Sequence, residues 1–444
     1  MSKSKGSISK GVDVVTIWLY VLLVAIGLTA IFAVTYKEGD PVVSSFFSFK
    51  TDYSKQFYFF LVSAIIGIFI LVTDSKFFPA TANLWYAVGI LLLLLVFPFA
   101  AKVKGTESII RMGPIQFQPA EFCKVCVCLA LAKYISLPNM DFSKKRSQLI
   151  AAAIAITPAL ITIMQKETGL ALVYFSFFLV MYREGLPPTI LIIAFSIAAL
   201  VIASIVIEPN TLAIVLTTIA VLVIFLNRRQ IKKRKSLVVP IIVLWFVCVG
   251  IQRFAVPFLF SSVLQKHQVE RIYSLFGKDN PYSEGPVVVT ASGAKKDNTA
   301  DYNVRQSKIA IGSGGLLGKG LLQGTQTRYD FVPEQRTDFI FCTIGEGFGF
   351  VGTSILLIIY LLLLFRIIHL AERQRSVFSR CYAYGVAAVF FFHIAINVAM
   401  TVGLAPVIGI PLPFVSYGGT ALLTFTILLF ILIRLDADRQ MVLR

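Results

Sequence analysis

LWYAVGILLLLLVFPFAA, Leu84–Ala101, carries no charged side chain from end to end. A helix of roughly 20 such residues crosses the hydrocarbon core of a bilayer, and comparable runs recur through all 444 residues. They fall near Val15–Tyr36, Phe57–Val72, Leu84–Ala101, Gln118–Tyr134, Leu149–Met164, Gly169–Tyr182, Pro187–Ile207, Thr211–Leu226, Val238–Leu259, Phe339–Leu370, Val377–Met400 and Leu412–Leu435. With 57% hydrophobic and 14% charged residues, the composition excludes a soluble domain. The expected fold is an all-α integral membrane protein: a polytopic bundle of about twelve transmembrane helices in one domain, residues 1–444. The first run lacks a short apolar core with a small-residue cleavage site, so it reads as a retained helix.

The formal charge of +18 would suit nucleic acid, but its placement argues for topology instead. With the N-terminus inside, Lys144–Arg146, Arg228–Arg229, Lys232–Lys235, Arg373, Arg375 and the tail from Arg434 all fall in inside segments. Both termini are then cytoplasmic, and residues 260–337 form one long extracytoplasmic loop. Long ordered loops are usually functional, although Lys278–Thr299 reads equally as a tether. The six cysteines lie in or beside apolar runs, away from zinc spacing, and the three histidines are isolated, so no metal site is expected.

The segment FVPEQRTDFIFCTIGEGFGFVG, Phe331–Gly352, holds the strongest candidate. Pro333 and Thr337 precede an apolar run, which places Asp338 at or near the first turn of a helix at the outer boundary. A dipole that favours the anion, set against an apolar wall of Phe339 and Phe341, would poise a general base. A helix-capping aspartate explains the position equally well. Glu334 and Arg336 flank it. Glu346 lies deeper and is either a site residue or half of a buried ion pair. Gly312–Gly320 (GSGGLLGKG) fails as a phosphate loop because Gly320 stands where Ser or Thr should follow Lys319. Its Gly312, Ser313, Gly314 and Gly315 are expected to give a close backbone approach. Glu121 and Lys124 share a helix face and can pair. Arg111, Lys124, Arg271, Lys319 and Arg336 are candidate cations for a phosphate-bearing substrate. Asn397 lies within a span, and the prolines of Gly403–Gly419 interrupt helix where a cavity would tolerate it.

These stretches together are similar to one family. YNVRQSKIAIGSGGLLGKG (Tyr302–Gly320), Gly324–Gln326, PEQRTDFIF (Pro333–Phe341), GIPLPFVSYGG (Gly409–Gly419) and QPAEFCK (Gln118–Lys124) resemble the shape, elongation, division and sporulation (SEDS) proteins. TQTRYDFVPEQ (Thr325–Gln335) favours their RodA branch over FtsW. The resemblance implies a core of ten spans, here with an extra hairpin within Pro187–Leu259. It also implies a peptidoglycan glycosyltransferase that polymerises lipid II on the outer face of the bacterial cytoplasmic membrane, for cell elongation and rod shape. A class B penicillin-binding protein, the transpeptidase, is the implied partner together with elongation machinery; no nucleic acid is expected. Asp338 falls on the family's essential aspartate, and Glu121, Lys124 and Gly312–Gly315 fall on its sensitive positions. Gln306, Ser307 and Ser416, within the matching motifs, join Arg111, Arg271, Lys319, Glu334, Arg336, Glu346 and Asn397 as substrate-binding candidates. No cofactor is firmly expected, although the leaving pyrophosphate could use a divalent cation (Mg or Mn). The alternatives are a lipid-linked precursor flippase and a non-catalytic activator of the penicillin-binding protein. The chain departs from the family where Arg-Trp becomes Ser108–Ile109 and Gln-Pro-Asp becomes Gln165–Lys166–Glu167. It also has Arg336 in place of a common His, and an unusual insertion at Val287–Ala300.

Overall fold

The computed structural model describes residues 11–36, 41–99, 101–103, 106–112, 115–234, 236, 238–264, 266–276, 278 and 299–439. It is predominantly helical, and each of the twelve apolar runs is helical over most of its length. Ten described helices are long and apolar enough to cross a membrane. The other two runs form the 17-residue helix Pro119–Ile135 and the broken pair Thr168–Tyr174 and Phe177–Arg183. The chain is therefore a multi-pass membrane protein.

Two compact units emerge, one of Met1–Leu186 with Asn303–Arg444 and the other of Pro187–Tyr302. In the first, helices Pro119–Ile135, Val377–Thr401 and Gly419–Ala437 are the most enclosed, with side chains buried all round. The helices Val14–Thr35, Asp52–Val72, Phe77–Phe99, Lys145–Met164 and Ile340–Glu372 bury one stripe each and expose Leu, Ile and Phe on the other, as lipid-facing helices do. In the second unit, helices Pro188–Val206, Pro209–Leu226 and Val238–Gly250, the last continuing through π-helical turns, expose nearly all their apolar surface. Its small core joins Ile205, Val256 and Phe260 to Val269 and Tyr273 of the helix Lys266–Leu275.

Three features refine the expected all-α bundle. A small antiparallel sheet, β1 (Ala101–Val103), β2 (Thr106–Met112) and β3 (Ile115–Phe117), fills the connection before Pro119. The run Leu412–Leu435 is not helical until Gly419, because Pro411 and Pro413 cannot supply helical N–H groups. Among its described residues, the segment 260–337 carries the helices Lys266–Leu275, Thr299–Ser313 and Thr325–Arg328. The tether at Lys278–Thr299 and the insertion at Val287–Ala300 fall mostly outside the described residues.

Candidate functional site

Pro333–Phe339 winds through successive turns, and the helix Ile340–Glu372 begins only after them. Its N-cap is Phe339, with no side-chain cap bond. Asp338 thus stands one position outside the cap, next to the first turn as expected. The carbonyl of Glu334, at φ +56°, accepts from the backbone N–H groups of Thr337, Asp338 and Phe339. This knot holds the Asp338 side chain half-buried.

A second non-helical stretch, Gly409–Gly418, lies against the knot and is joined to it mainly through backbone carbonyls. Asn397 Nδ2 donates to Asp338 O at 2.8 Å and to Ile410 O at 2.7 Å. Ser416 Oγ donates to Thr337 O at 2.5 Å and accepts from Leu412 N–H at 2.8 Å, while Tyr417 N–H donates to Arg336 O at 2.9 Å. Gln56 closes the far side, donating to Ser416 O and accepting from Gly418 N–H. A Cβ added at Gly409 would come 3.3 Å from Asp338 Oδ2, so the carboxylate is turned toward this loop. Burial and the neighbouring Asp52 carboxylate push the Tyr417 phenol up to about 12, against the lowering effect of Arg336, so it stays protonated.

Of the predicted residues, Asp338, Asn397, Ser416, Glu334 and Arg336 therefore belong to one construction. Arg336 is half-exposed and pairs with Asp52. Ser307 is buried and donates to Thr401 O at 2.9 Å, seating the helix Thr299–Ser313 beside Phe339, Cys342, Met400 and Val407; Gln306 is half-buried on the same helix. Glu121 and Lys124 form a fully buried pair at 2.6 Å, and Lys124 Nζ also lies 2.8 Å from His393 Nε2.

Glu346 serves another centre. Fully buried, it accepts from Lys319 Nζ at 2.8 Å, from Gln326 and Thr327 N–H at 2.9 Å each, and from Thr327 Oγ1 at 2.9 Å. That satisfies the ion-pair reading of the sequence and ties Lys319 down with it. The glycine loop packs against the same helix where it kinks at Gly349. Lys319 and Gly320 donate backbone N–H to Glu346 O and Gly347 O, and Phe350 N–H donates to Gly315 O. A Cβ at Gly314 would stand 2.0 Å from Gly345 O, so the close approach of this loop is to protein backbone. Ser313 Oγ donates to Ala310 O, while Gly312 and Gly315 are exposed. Arg111 is exposed on β2. Arg271 lies on Lys266–Leu275 in the second unit, its side chain outside the described parts.

Sequence reading missed Asp52, Gln56 and His393. His393 and Asn397 sit four apart on one helix, a spacing that could have paired them. Two of the altered family positions also meet, since Ser108 Oγ donates to Glu167 Oε1 at 2.6 Å. Among the described residues, no three His, Cys, Asp or Glu side chains group in a way that could hold a metal ion.

Known proteins resemble this chain in sequence and in fold. The peptidoglycan glycosyltransferase MrdB of Escherichia coli K12 is 31% identical over 382 residues, covering 85% of this chain and 84% of that protein. Among solved structures, the rod shape determining protein RodA of Thermus thermophilus has the same fold, with a TM-score of 0.58 at 21% identity, covering 96% of this chain and 97% of the other. A chain from a structure on coordination of polymerization and crosslinking by a peptidoglycan synthase complex gives a TM-score of 0.65 at 21% identity, covering 96% and 98%. Residues 14–207 and 186–441 match the FtsW, RodA and SpoVE cell cycle proteins, the two stretches overlapping where the sequence places an extra hairpin. This chain belongs to that FtsW/RodA/SpoVE family.

Proposed function

We propose that this chain is a peptidoglycan glycosyltransferase that polymerises lipid II at the outer face of the bacterial cytoplasmic membrane, with Asp338 as the general base. The observation that carries the reading is the half-buried Asp338 carboxylate, fixed through its backbone and turned toward the glycine-lined edge of the Gly409–Gly418 loop. The carboxylate takes the proton of the acceptor sugar's 4-hydroxyl. The freed oxygen forms a bond to C1 of the donor muramoyl unit, and the C1–O bond to lipid pyrophosphate breaks with inversion. Positive charge must meet the leaving group. Lys319 is tied to Glu346 and Lys124 is enclosed with Glu121. Arg336, which stays half-exposed while paired with Asp52, and exposed Arg111 are the proposed cations.

The charge pattern supports cytoplasmic termini and an outer-facing Asp338. A class B penicillin-binding protein is the proposed partner, in keeping with the likeness to a chain of a peptidoglycan synthase complex. The test is purified protein with lipid II, with and without that partner, scored for glycan strands. Asp338→Asn should lower polymerisation by about 1,000-fold, within the range for loss of a general base. Undiminished polymer from the variant would exclude the assignment. Lipid movement without polymer would favour a flippase.

A further inference from the structure

The buried polar groups behind the Gly409–Gly418 loop are more than an ion pair. Lys124 Nζ lies 2.6 Å from Glu121 Oε2, 2.8 Å from His393 Nε2 and 5.3 Å from the centre of the Phe425 ring. His393 Nδ1 lies 3.0 Å from Pro411 O. Glu121, Lys124, His393 and Asn397 are all essentially inaccessible. With the Glu121 carboxylate 2.6 Å away, Lys124 is read as an ammonium, which has no lone pair to offer, so the nitrogen facing it accepts. A carbonyl oxygen cannot donate, so the nitrogen facing Pro411 must carry the hydrogen. These two partners fix a neutral imidazole with its proton on Nδ1.

One turn further along the same helix, Asn397 holds Ile410 O and Asp338 O. His393 and Asn397 thus grip adjacent carbonyls of a loop that contains Pro411 and Pro413 and cannot hold itself by helical hydrogen bonding. Asn397 reaches from that loop to the backbone of Asp338. We propose that His393 is a positioning residue for glycosyl transfer. Its tautomer is set by the Glu121–Lys124 pair, and its Nδ1–H holds Pro411 so that the Gly409 edge keeps its place against the Asp338 carboxylate. The proposal rests on Asp338 being the base. It assigns His393 no contact with substrate.

Two conservative variants separate the nitrogens. His393→Asn can present an amide N–H where Nδ1 stood but cannot reach Lys124; His393→Gln can meet Lys124 but gives up Pro411. With the full chain, its partner and lipid II, His393→Gln and His393→Leu should lose about 100-fold in kcat with KM little changed, the size expected from a misplacement of about 1 Å. His393→Asn should recover most of that loss. Equal losses in all three variants, matched by equal falls in Tm, would mean a packing role and overturn the proposal; so would full activity in His393→Gln.

A measurement on the native residue does not depend on how those variants fold. The chain has three histidines, so His267→Gln/His369→Gln leaves His393 alone for 15N spectroscopy. The expected signature is a neutral Nδ1–H tautomer at pH 7. An Nε2–H tautomer or an imidazolium would refute the assignment. Asp338→Asn assayed in parallel keeps the two claims apart. Activity in that variant removes the general base, whereas its loss with no effect of His393 substitution removes only the positioning role.

Discussion

At Gly409 the backbone runs at φ +77°, and an added methyl would stand 3.3 Å from Asp338 Oδ2. A side chain there costs about 1 kcal/mol in the left-handed region and also crowds the carboxylate on the side where an acceptor hydroxyl would arrive. Gly409→Ala should therefore lower Tm by a few degrees but cut lipid II polymerisation by about 10-fold or more. Loss of activity no larger than the loss of folded protein would count against an open edge at this position. Asp338 could be found from sequence because charge placement put it outside and a long motif surrounded it. Several of its neighbours, Asn397 and Ser416 among them, could be named too, but what they hold could not. Asn397, Ser416 and Gln56 mostly recognise carbonyl groups, and a carbonyl leaves no mark on the sequence of the segment that offers it. His393 was visible only as an isolated histidine, since its partners Lys124 and Pro411 come from distant parts of the chain.

The helix Ile340–Glu372 shows how an element can be right in outline and different in detail. Its apolar content predicts a span, but the kink at Gly349 and the docking of Gly314–Gly320 depend on backbone approach, which hydropathy does not register. Glu346 joins the turns of Thr325–Thr327 and the glycine loop to this helix. Removing it leaves several donors without an acceptor, so Glu346→Ala should destabilise the protein by about 3 kcal/mol. Thermal unfolding in detergent checks this, and an unchanged Tm with lost activity would instead argue for substrate contact. The short sheet β1–β3 was overlooked because a seven-residue strand flanked by two of three residues has too little alternation to stand out between apolar runs. Likewise, Leu412–Gly418 reads as part of the following span because its apolar residues continue the run, while Pro411 and Pro413 deny it helical hydrogen bonds.

Over the whole molecule, Arg373, one of the basic residues that the positive-inside pattern counts, also takes part in a cluster of ion pairs at the helix ends. Asp13 caps the first helix through Thr16 and pairs with Arg366, while Arg373 lies near it and pairs with Asp436. Burial raises the Asp13 pKa, but the bonds from Arg366 and Thr16 outweigh it and bring the group down to about 2. A carboxylate lowered on folding contributes stability above its unfolded value of roughly 3.9 and loses that contribution as pH falls toward 2. Tm should therefore decline over that window, and Asp13→Asn should flatten the decline while lowering Tm at neutral pH; an unaltered slope would place the acid sensitivity elsewhere. The clamps around Asp338 have a separate consequence for how such a protein can change over time. Because they bind main-chain oxygens, these bonds place no demand of their own on the side chains at Thr337, Ile410 and Pro411, although the buried Ile410 must still pack. Gln56, Asn397 and Ser416 have no such freedom, since the hydrogen bonds leave from their own side chains. Tolerance to random substitution should therefore be lowest at the holders and higher at the held, a pattern that would outline the site without any reference to substrate.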